Sequence, residues 1–327
     1  MVATVGLALV TAFVVLSLYY VYRYRGAQRW DSFSEYARKG WLLFSPLNCL
    51  LYMFTEKRAA KPIMDVRDFP ELDEIQENWQ TIKDEAVALY DGHYFDKTNK
   101  PDNAAYYDIG FRTFYKYGWS KFYLKWYGYT HASSQKLCPK TIEILSRVLA
   151  VKGAMFSILP PGSQLTRHLD PIACSLRYHL GLVTPNKKEC FINVDGTDYS
   201  WRDGEAFLFD ETYLHYAKNN TDRYRIILMC DVARPLNFFG RIVNFVYGGI
   251  ARLTVVPNME GDRRGLANTV FAELAPILQK SKALKQTNRP LYLALKYTVN
   301  TALILIALAL LGGVLQGTSI VIKSLVS

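Results

Sequence analysis

Cysteine is scarce in the 327-residue sequence, and its five cysteines form neither a CxxC pair nor the spacing of a zinc site. An odd, scattered set of thiols favours a reducing compartment over a disulfide framework. The sequence also lacks an internal repeat, a low-complexity tract and a block of lysine and arginine. Its formal net charge of +10 is therefore better explained by attraction to anionic lipid headgroups than by nucleic-acid binding.

Charge is absent from two long stretches, 1–22 and 297–322. Each has the ~20 mostly apolar residues that a membrane-spanning helix needs. A cleaved signal peptide carries its positive charges before the apolar run, whereas here they follow it. The basic residues after the first stretch are Arg23, Arg25 and Arg29. Because basic flanks stay on the cytoplasmic side, the sequence predicts a transmembrane helix at each end and a cytoplasmic middle.

The first half of the middle region has the periodicity of helices. Residues 23–59 form a basic juxtamembrane segment, in which 41–54 is apolar and fits either an interfacial segment or a core helix. Asp68 then has the position of a helix cap before an apolar stripe at helical spacing. The stripe, which predicts core packing, consists of Leu72, Ile75, Trp79, Ile82, Ala86 and Leu89.

The second half changes to short β-type runs after Lys152. The turn signals Asp195-Gly196 and Asp203-Gly204 separate some of them, which predicts an antiparallel barrel or jelly roll. Residues 236–296 have the pattern of an amphipathic, membrane-proximal connector. The predicted strands are 155–159, 175–183, 190–194, 199–201, 206–209 and 224–232.

Histidine and aspartate cluster in the β region. His168 and Asp170 form an H-x-D pair after a Pro-Pro-Gly turn, and His215 follows another predicted strand. Two imidazoles and one carboxylate on one face of a metal define a non-haem Fe(II) site with open positions. A lone H-x-D pair is weak evidence for a metal site and is more often a solvated turn, and His215 alone fits a core histidine. The order of the surrounding residues favours the metal site.

Three further polar residues fit an anionic co-substrate. Arg225 lies ten residues after His215, where it can grip a carboxylate through two parallel hydrogen bonds. Arg177 and His179 alternate on one predicted strand and point to the same face. Inside a barrel these groups are costly unless they meet a buried anion.

Six motifs together resemble the aspartyl/asparaginyl β-hydroxylase family over roughly residues 60–235. They are P-P-G (160–162), H-L-D (168–170), S-L-R-Y-H-L-G-L (175–182), D-G-E-A (203–206), F-D-E-T-Y-L-H (209–215) and R-I-I-L (225–228). The resemblance implies an α+β fold, with a double-stranded β-helix (jelly roll) at about 150–235 and flanking helices. It also implies that His168 and His215 bind iron. By the same motifs Arg225 would hold the C5 carboxylate of 2-oxoglutarate, with Ser157, Arg177 and His179 facing that co-substrate.

Asp170 departs from the peptide-modifying member of the family, which has glycine at that position. A full three-ligand site is therefore expected, and a protein substrate becomes less favoured. The layout, with its apolar ends, more closely resembles the bacterial lipid A 2-hydroxylases of this family. This resemblance implies an Fe(II)- and 2-oxoglutarate-dependent dioxygenase that uses O2, releases succinate and CO2, and hydroxylates an acyl chain of lipid A.

The resemblance places the chain in the bacterial inner membrane, with the catalytic domain facing the cytoplasm. Membrane lipid is then its partner, and nucleic acid is not. Three alternatives stay open: the same chemistry on another lipid such as an ornithine lipid, the same chemistry on peptidyl Asp or Asn, and a non-catalytic membrane binding protein.

Overall fold

The computed structural model describes most of the chain in two compact units, Met1–Thr269 and Val270–Ser327. The candidate site lies in the first unit. In the second, the end of one helix and a further helical stretch at 289–299 are described. The described residues are 2–97, 106–108, 110–111, 118–299 and 301.

The strands of the described residues form two antiparallel sheets. The first has the order β1-β9-β6-β11-β4-β2-β3, and the second has the order β5-β10-β7-β8. The strands are β1 (Ile63–Met64), β2 (Ser120–Trp126), β3 (Tyr129–Thr130), β4 (Val151–Leu159), β5 (Gln164–His168), β6 (Ser175–Val183), β7 (Cys190–Val194), β8 (Thr197–Ser200), β9 (Ala206–Phe209), β10 (His215–Asn219) and β11 (Arg225–Ala233).

The eight strands from β4 to β11 have the order of a jelly roll. Going along the chain, β4, β6, β9 and β11 join the first sheet, while β5, β7, β8 and β10 join the second. The antiparallel β-structure expected at 150–235 is thus present. The predicted bounds of β6, β7 and β9 are confirmed. Two strands, β5 and β10, were not predicted.

Two apolar clusters hold the first sheet, one on each of its faces. The inner cluster fills the space between the sheets and includes Trp201, Phe207 and Phe209. The outer cluster packs the other face against helices that carry the predicted stripe, of which Leu72, Ile75, Ile82, Ala86 and Leu89 are buried and Trp79 is partly buried. Because both faces are covered, β6 and β11 are buried along almost their whole length.

The helices of the described residues surround the sheets on several sides. In chain order they are α1 (Val2–Arg23), α2 (Phe33–Lys39), α3 (Ser45–Phe54), α4 (Asp73–Glu77), α5 (Trp79–Asp91), α6 (Tyr94–Lys97), α7 (Ala132–Leu137), α8 (Pro139–Arg147), α9 (Phe238–Arg252) and α10 (Leu266–Thr287). The apolar segment 41–54 forms a 3-10 turn, Leu42–Phe44, followed by α3. Its proline lies in the first turn of α3, where a missing N–H costs nothing.

The prediction that Asp68 caps the stripe helix is wrong. Asp68 ends a 3-10 turn, Val66–Asp68, whose capping side chain is Asp65. The next residue, Phe69, precedes Pro70 and has φ −129°, because a residue before proline is forced away from helical backbone angles. Regular helix therefore begins only at α4.

The expected membrane spans have different outcomes. The segment 1–22 is helical, as α1. Within the part of the chain that the structure describes, however, no helix combines the length and apolar character needed to cross a membrane, so a spanning helix at 1–22 is not found. Most of the second expected span, 297–322, lies outside the described residues.

Candidate active site

The three residues expected to bind metal lie together at one end of the second sheet. His168 ends β5 and His215 begins β10, and the two are direct neighbours in the register of these strands. Their ring centroids are 4.2 Å apart. Asp170 follows in the adjoining loop, so that one ligand atom from each of the three residues lies within 4.8 Å of the others. This is the two-histidine, one-carboxylate set that suits Fe(II).

Hydrogen bonds orient both histidine rings. Nδ1 of His168 lies 2.8 Å from the carbonyl oxygen of Thr166, and Nδ1 of His215 lies 2.9 Å from that of Tyr213. A carbonyl only accepts, so Nδ1 carries the proton and Nε2 keeps its lone pair for a metal. Burial, with His168 close by, lowers the pKa of His215 well below its usual value. A neutral ring is the form that binds metal.

Asp170 is held by Arg177. The guanidinium Nη2 donates to Oδ2 of Asp170 at 2.9 Å, while Oδ1 lies 3.8 Å from Nε2 of His168. Arg177 also contacts two buried carboxylates, with Nε 2.6 Å from Glu211 and Nη1 3.0 Å from Asp231. Burial alone would lower the pKa of Arg177, but these carboxylates outweigh it and raise that pKa. One oxygen of Asp170 is thus anchored and the other faces the histidines.

These contacts bear on the role that the resemblance implies for Arg177. In the structure its donors point at Asp170, Glu211 and Asp231. Contact with 2-oxoglutarate stays a prediction for this residue, whereas its hold on Asp170 is visible.

Arg225 is a buried arginine with no anion beside it in the part of the chain that the structure describes. It is fully buried, and none of its three guanidinium nitrogens has a hydrogen-bond partner among the described residues. Its charge lies 4.2 Å from the ring centroid of Trp201 and 5.3 Å from that of Trp119. Burial lowers the pKa of Arg225 to about 10. A buried, unpaired guanidinium is costly, and an anionic ligand would satisfy it.

Two more polar atoms without hydrogen-bond partners in the described structure face the space between the two sheets. Ser157 pairs with Ile227 and His179 pairs with Met229 in the register of the first sheet, so both share a face with Arg225. The Ser157 hydroxyl and Nε2 of His179 lack hydrogen-bond partners in the described structure. These two atoms and the Arg225 guanidinium together can hold a carboxylate and its neighbouring oxygen atoms.

Aromatic rings join the metal ligands to this polar group. Phe209 lies 5.6 Å from His215 and 5.2 Å from His179, measured between ring centroids. Nε1 of Trp201 donates to Nδ1 of His179 at 3.3 Å. A continuous wall of rings therefore runs from the candidate metal position to Arg225, and it limits the access of water.

Sequence reasoning assigned no role to three residues of this site: Trp201, Glu211 and Asp231. For Asp231 a signal was present, because it alternates with Arg225 on one strand and so faces the same side. Glu211 lies in the F-D-E-T-Y-L-H motif and Trp201 lies two residues before the D-G-E-A motif, but a motif alone does not say which way a side chain points.

The segment after α1 also reaches the site, which was not foreseen. Arg25 forms an ion pair of 2.6 Å with Asp210 and stacks on Tyr52 and Tyr213, at 3.6 Å and 3.9 Å from the ring centroids. Burial would raise the pKa of Asp210, but Arg234 and Arg25 outweigh it and lower that pKa to about 2. The loop before His215 is thereby fixed to the N-terminal region.

The loop that carries Asp170 is fixed in the same way. The indole N–H of Trp41 donates to the Leu169 carbonyl at 3.2 Å, and the Asn48 amide donates to the Pro171 carbonyl at 2.9 Å. Leu169 and Leu214, each next to a metal-ligand candidate, are buried in one cluster with Val21, Trp30, Tyr36 and Cys49. The N-terminal helices therefore form the outer support of the site.

Residues 76–235 match the family model described as Aspartyl/Asparaginyl beta-hydroxylase. This stretch contains every metal and co-substrate candidate described above. The match agrees with the resemblance carried by the sequence motifs.

Individual relatives match parts of this chain. The ornithine lipid ester-linked acyl 2-hydroxylase of Rhizobium tropici is 36% identical over 137 residues, which cover 42% of this chain and 49% of the relative. The human aspartyl/asparaginyl beta-hydroxylase is 29% identical over 169 residues, which cover 49% of this chain and 21% of the relative. The chain thus spans about half of the first relative and about a fifth of the second.

Among solved structures, the chain is similar to a Pseudomonas putida prolyl-4-hydroxylase, with a TM-score of 0.31 and 16% identity. That similarity covers 49% of this chain and 87% of the other.

Proposed function

We propose, from the match of residues 76–235 to the family model described as Aspartyl/Asparaginyl beta-hydroxylase, that the chain is an Fe(II)- and 2-oxoglutarate-dependent hydroxylase of a membrane-lipid acyl chain. The environment of Arg225 is the observation that supports 2-oxoglutarate as the co-substrate. Its charge is buried and unpaired, and it lies at the far end of an aromatic wall from His168, Asp170 and His215. A dicarboxylic acid that reaches from a metal to a distal guanidinium fits this arrangement.

The candidate residues form two groups with different proposed roles, metal binding and co-substrate binding. His168, Asp170 and His215 would hold Fe(II) and leave positions open on its other side. Arg225 would bind the distal carboxylate, with the Ser157 hydroxyl and Nε2 of His179 as further hydrogen-bonding groups. Fe(II), 2-oxoglutarate and O2 together supply the oxidation of an unactivated C–H bond, with succinate and CO2 as co-products.

Formation of succinate from 2-oxoglutarate tests the reaction type. The full chain in detergent should release succinate when Fe(II), O2 and its lipid substrate are present, and a chelator should stop the release. Absence of succinate with every lipid extract offered would refute the oxygenase proposal.

The lipid class is proposed from two different sources. The sequence layout favours lipid A, as described above. The similarity to an ornithine lipid acyl 2-hydroxylase supports an ornithine lipid as a second candidate. An acyl chain has no acidic proton, which suits an iron oxidant better than a general base and supports a lipid in either case.

Mass spectrometry of total lipids separates the two candidates. Cells with and without the protein are compared for a gain of one oxygen atom on an acyl chain. A gain on lipid A supports the first candidate, and a gain on an ornithine lipid supports the second. If hydroxylation appears on peptidyl Asp or Asn and on no lipid, the lipid proposal fails.

We also propose that the site faces the cytoplasm at the bacterial inner membrane. Support comes from Arg23, an exposed basic residue directly after the apolar segment, and from the five cysteines, all of which are free and buried. A cysteine placed at exposed Lys187 and reacted with an impermeant thiol reagent in spheroplasts tests this. Labelling before the cells are opened would contradict it.

A further inference from the structure

The outer side of α9 exposes a row of large apolar side chains. Phe245 is 85% exposed, and its neighbours one helical turn away on the same side are also exposed. The opposite side of α9 packs on the protein through Val243 and Tyr247. We define the docking face of α9 as Phe238, Phe239, Ile242, Phe245, Val246 and Ile250.

We propose that this docking face inserts into the acyl boundary of a bilayer that contains anionic lipid. The proposal deepens the proposed function, on which it rests for the lipid substrate. Its own support comes from the apolar surface, from the charges beside it and from its position relative to the site.

Exposed apolar side chains also occur on the helices that neighbour α9. Helix α3 packs against both α9 and α1. Met53 of α3 is 72% exposed, and Leu9, Val10 and Leu16 of α1 are exposed as well. An exposed apolar surface shared by three packed helices exceeds the scattered apolar residues of ordinary protein surfaces.

The charges beside the docking face favour anionic lipid as its occupant. Arg241 and Arg252 are exposed on α9, and the helix contains no acidic residue. Aromatic and aliphatic residues on one face with arginine at its edges are typical of helices that lie in a lipid interface. A second copy of the chain fits less well, because a symmetric contact through α9 would bring arginines together without acidic partners.

The docking face is one layer of side chains away from the metal loop. Leu51 of α3 and Ala173, three residues after Asp170, are buried in one cluster against which Val243 and Tyr247 of α9 pack. A bilayer at the docking face would therefore lie next to the loop that carries Asp170.

Quenching by brominated lipid tests the contact directly. Phe245→Cys in the full chain provides one reactive thiol, since the five native cysteines are buried. The protein is labelled with bimane and reconstituted in phosphatidylcholine–phosphatidylglycerol vesicles with or without brominated acyl chains. We expect about a twofold loss of fluorescence, because an interfacial helix inserts ~5–10 Å into the acyl boundary. The matched control is Asp222→Cys, an exposed position beyond the end of β10 opposite to His215, which should not be quenched.

Equal fluorescence with both kinds of vesicle would overturn the proposal. Disulfide-linked dimers of unlabelled Phe245→Cys would then indicate a second copy as the occupant. Protection of the label from aqueous iodide without dimers would indicate coverage by the chain's own C-terminal residues.

The readout is separate from hydroxylation. If the label is quenched and neither lipid A nor an ornithine lipid added to these vesicles is hydroxylated, the docking proposal is supported and the proposed function fails. If the added lipid is hydroxylated and the label is not quenched, the proposed function is supported and the docking proposal fails. As a second measurement, Phe245→Ser with Ile242→Ser should raise KM for vesicle lipid several-fold, while succinate release with detergent-dispersed lipid stays unchanged.

Discussion

Buried arginines in this protein differ in their partners more than in their burial. Arg177 contacts three carboxylates and Arg234 contacts Asp210, and the pKa of Arg177 is raised. Arg225 is equally buried, has two indole rings beside it and no anionic partner among the residues that the structure describes, and burial lowers its pKa to about 10. At neutral pH Arg225 still carries its charge, so its environment is incomplete without an anionic ligand.

Arg225→Met separates ligand binding from folding. The substitution keeps the volume and removes the unpaired charge, so the melting temperature of the ligand-free protein should not fall. Binding of 2-oxoglutarate should weaken by at least about tenfold, because loss of a buried charged partner costs on the order of 2–5 kcal/mol. Titration calorimetry and thermal melts measure the two effects. Arg223→Ala, an exposed neighbour, is the control, and unchanged 2-oxoglutarate affinity in the methionine variant would contradict the assigned role.

The three metal-ligand candidates should be individually essential. Alanine at His168, Asp170 or His215 removes one of three donors and should abolish iron-dependent succinate formation. His93→Ala provides the control, since its side chain is 77% exposed and distant in the chain. Iron content measured after purification should fall with the activity. Full turnover by any of the three variants would remove that residue from the metal set.

At the level of elements, the sequence predicted β4, β6, β7, β8, β9 and β11, and it did not predict β1, β2 and β3, which lie before residue 152. Within the jelly roll it missed β5 and β10, which carry both histidine ligand candidates. Their sequences, Q-L-T-R-H and H-Y-A-K-N, are largely polar, and β5 has no fully buried residue. Hydrophobic periodicity cannot detect such strands, because their partners in the sheet determine their conformation. The histidines were found by residue type and spacing instead.

The contacts of the N-terminal region were not predicted either, because they join residues that are far apart in the sequence. Arg25 and Asp210 are separated by 185 residues, and no local pattern links them. Charge placement indicated a basic flank at Arg25 but could not show that its guanidinium is buried on the loop before His215. Only the tertiary structure shows that this residue supports the site.

Arg25→Ala should destabilise the loop before His215. Removing one partner of a buried ion pair costs on the order of 3 kcal/mol, although Arg234 still contacts Asp210. The free energy of unfolding, measured with denaturant in detergent, should decrease. Arg23→Ala, an exposed neighbour, should have little effect.

The pH dependence of the same variant gives a second check. The pKa of Asp210 is about 2 in the folded protein and ~3.9 in an unfolded chain. Its stabilising contribution is therefore present above about pH 4 and is lost as the pH falls towards 2. Without Arg25 the folded pKa rises, so the loss of stability between pH 4 and 2 should become smaller. An identical acid-side slope in both proteins would show that Arg25 does not act through Asp210.

At the level of the whole molecule, the candidate site joins the two sheets. The metal candidates begin or follow strands of the four-stranded sheet, whereas Arg225, Ser157 and His179 lie on the seven-stranded sheet. The jelly roll was predictable from the motifs because they resemble a family that has this fold. The exposed surface of α9 and its neighbours was not, because burial depends on which helices meet.

A site that spans both sheets predicts that metal and co-substrate stabilise the protein jointly. A ligand at a hundredfold excess over its Kd adds about 2.7 kcal/mol to the free energy of unfolding. Under anaerobic conditions, where turnover cannot occur, Fe(II) with 2-oxoglutarate should raise the melting temperature of the full chain more than either ligand alone. Arg225→Met should keep the increase due to Fe(II) and lose that due to 2-oxoglutarate, whereas His215→Ala should lose the metal increase. If both variants respond as the unchanged protein does, the two ligands bind elsewhere, and the interior between the sheets is not their site.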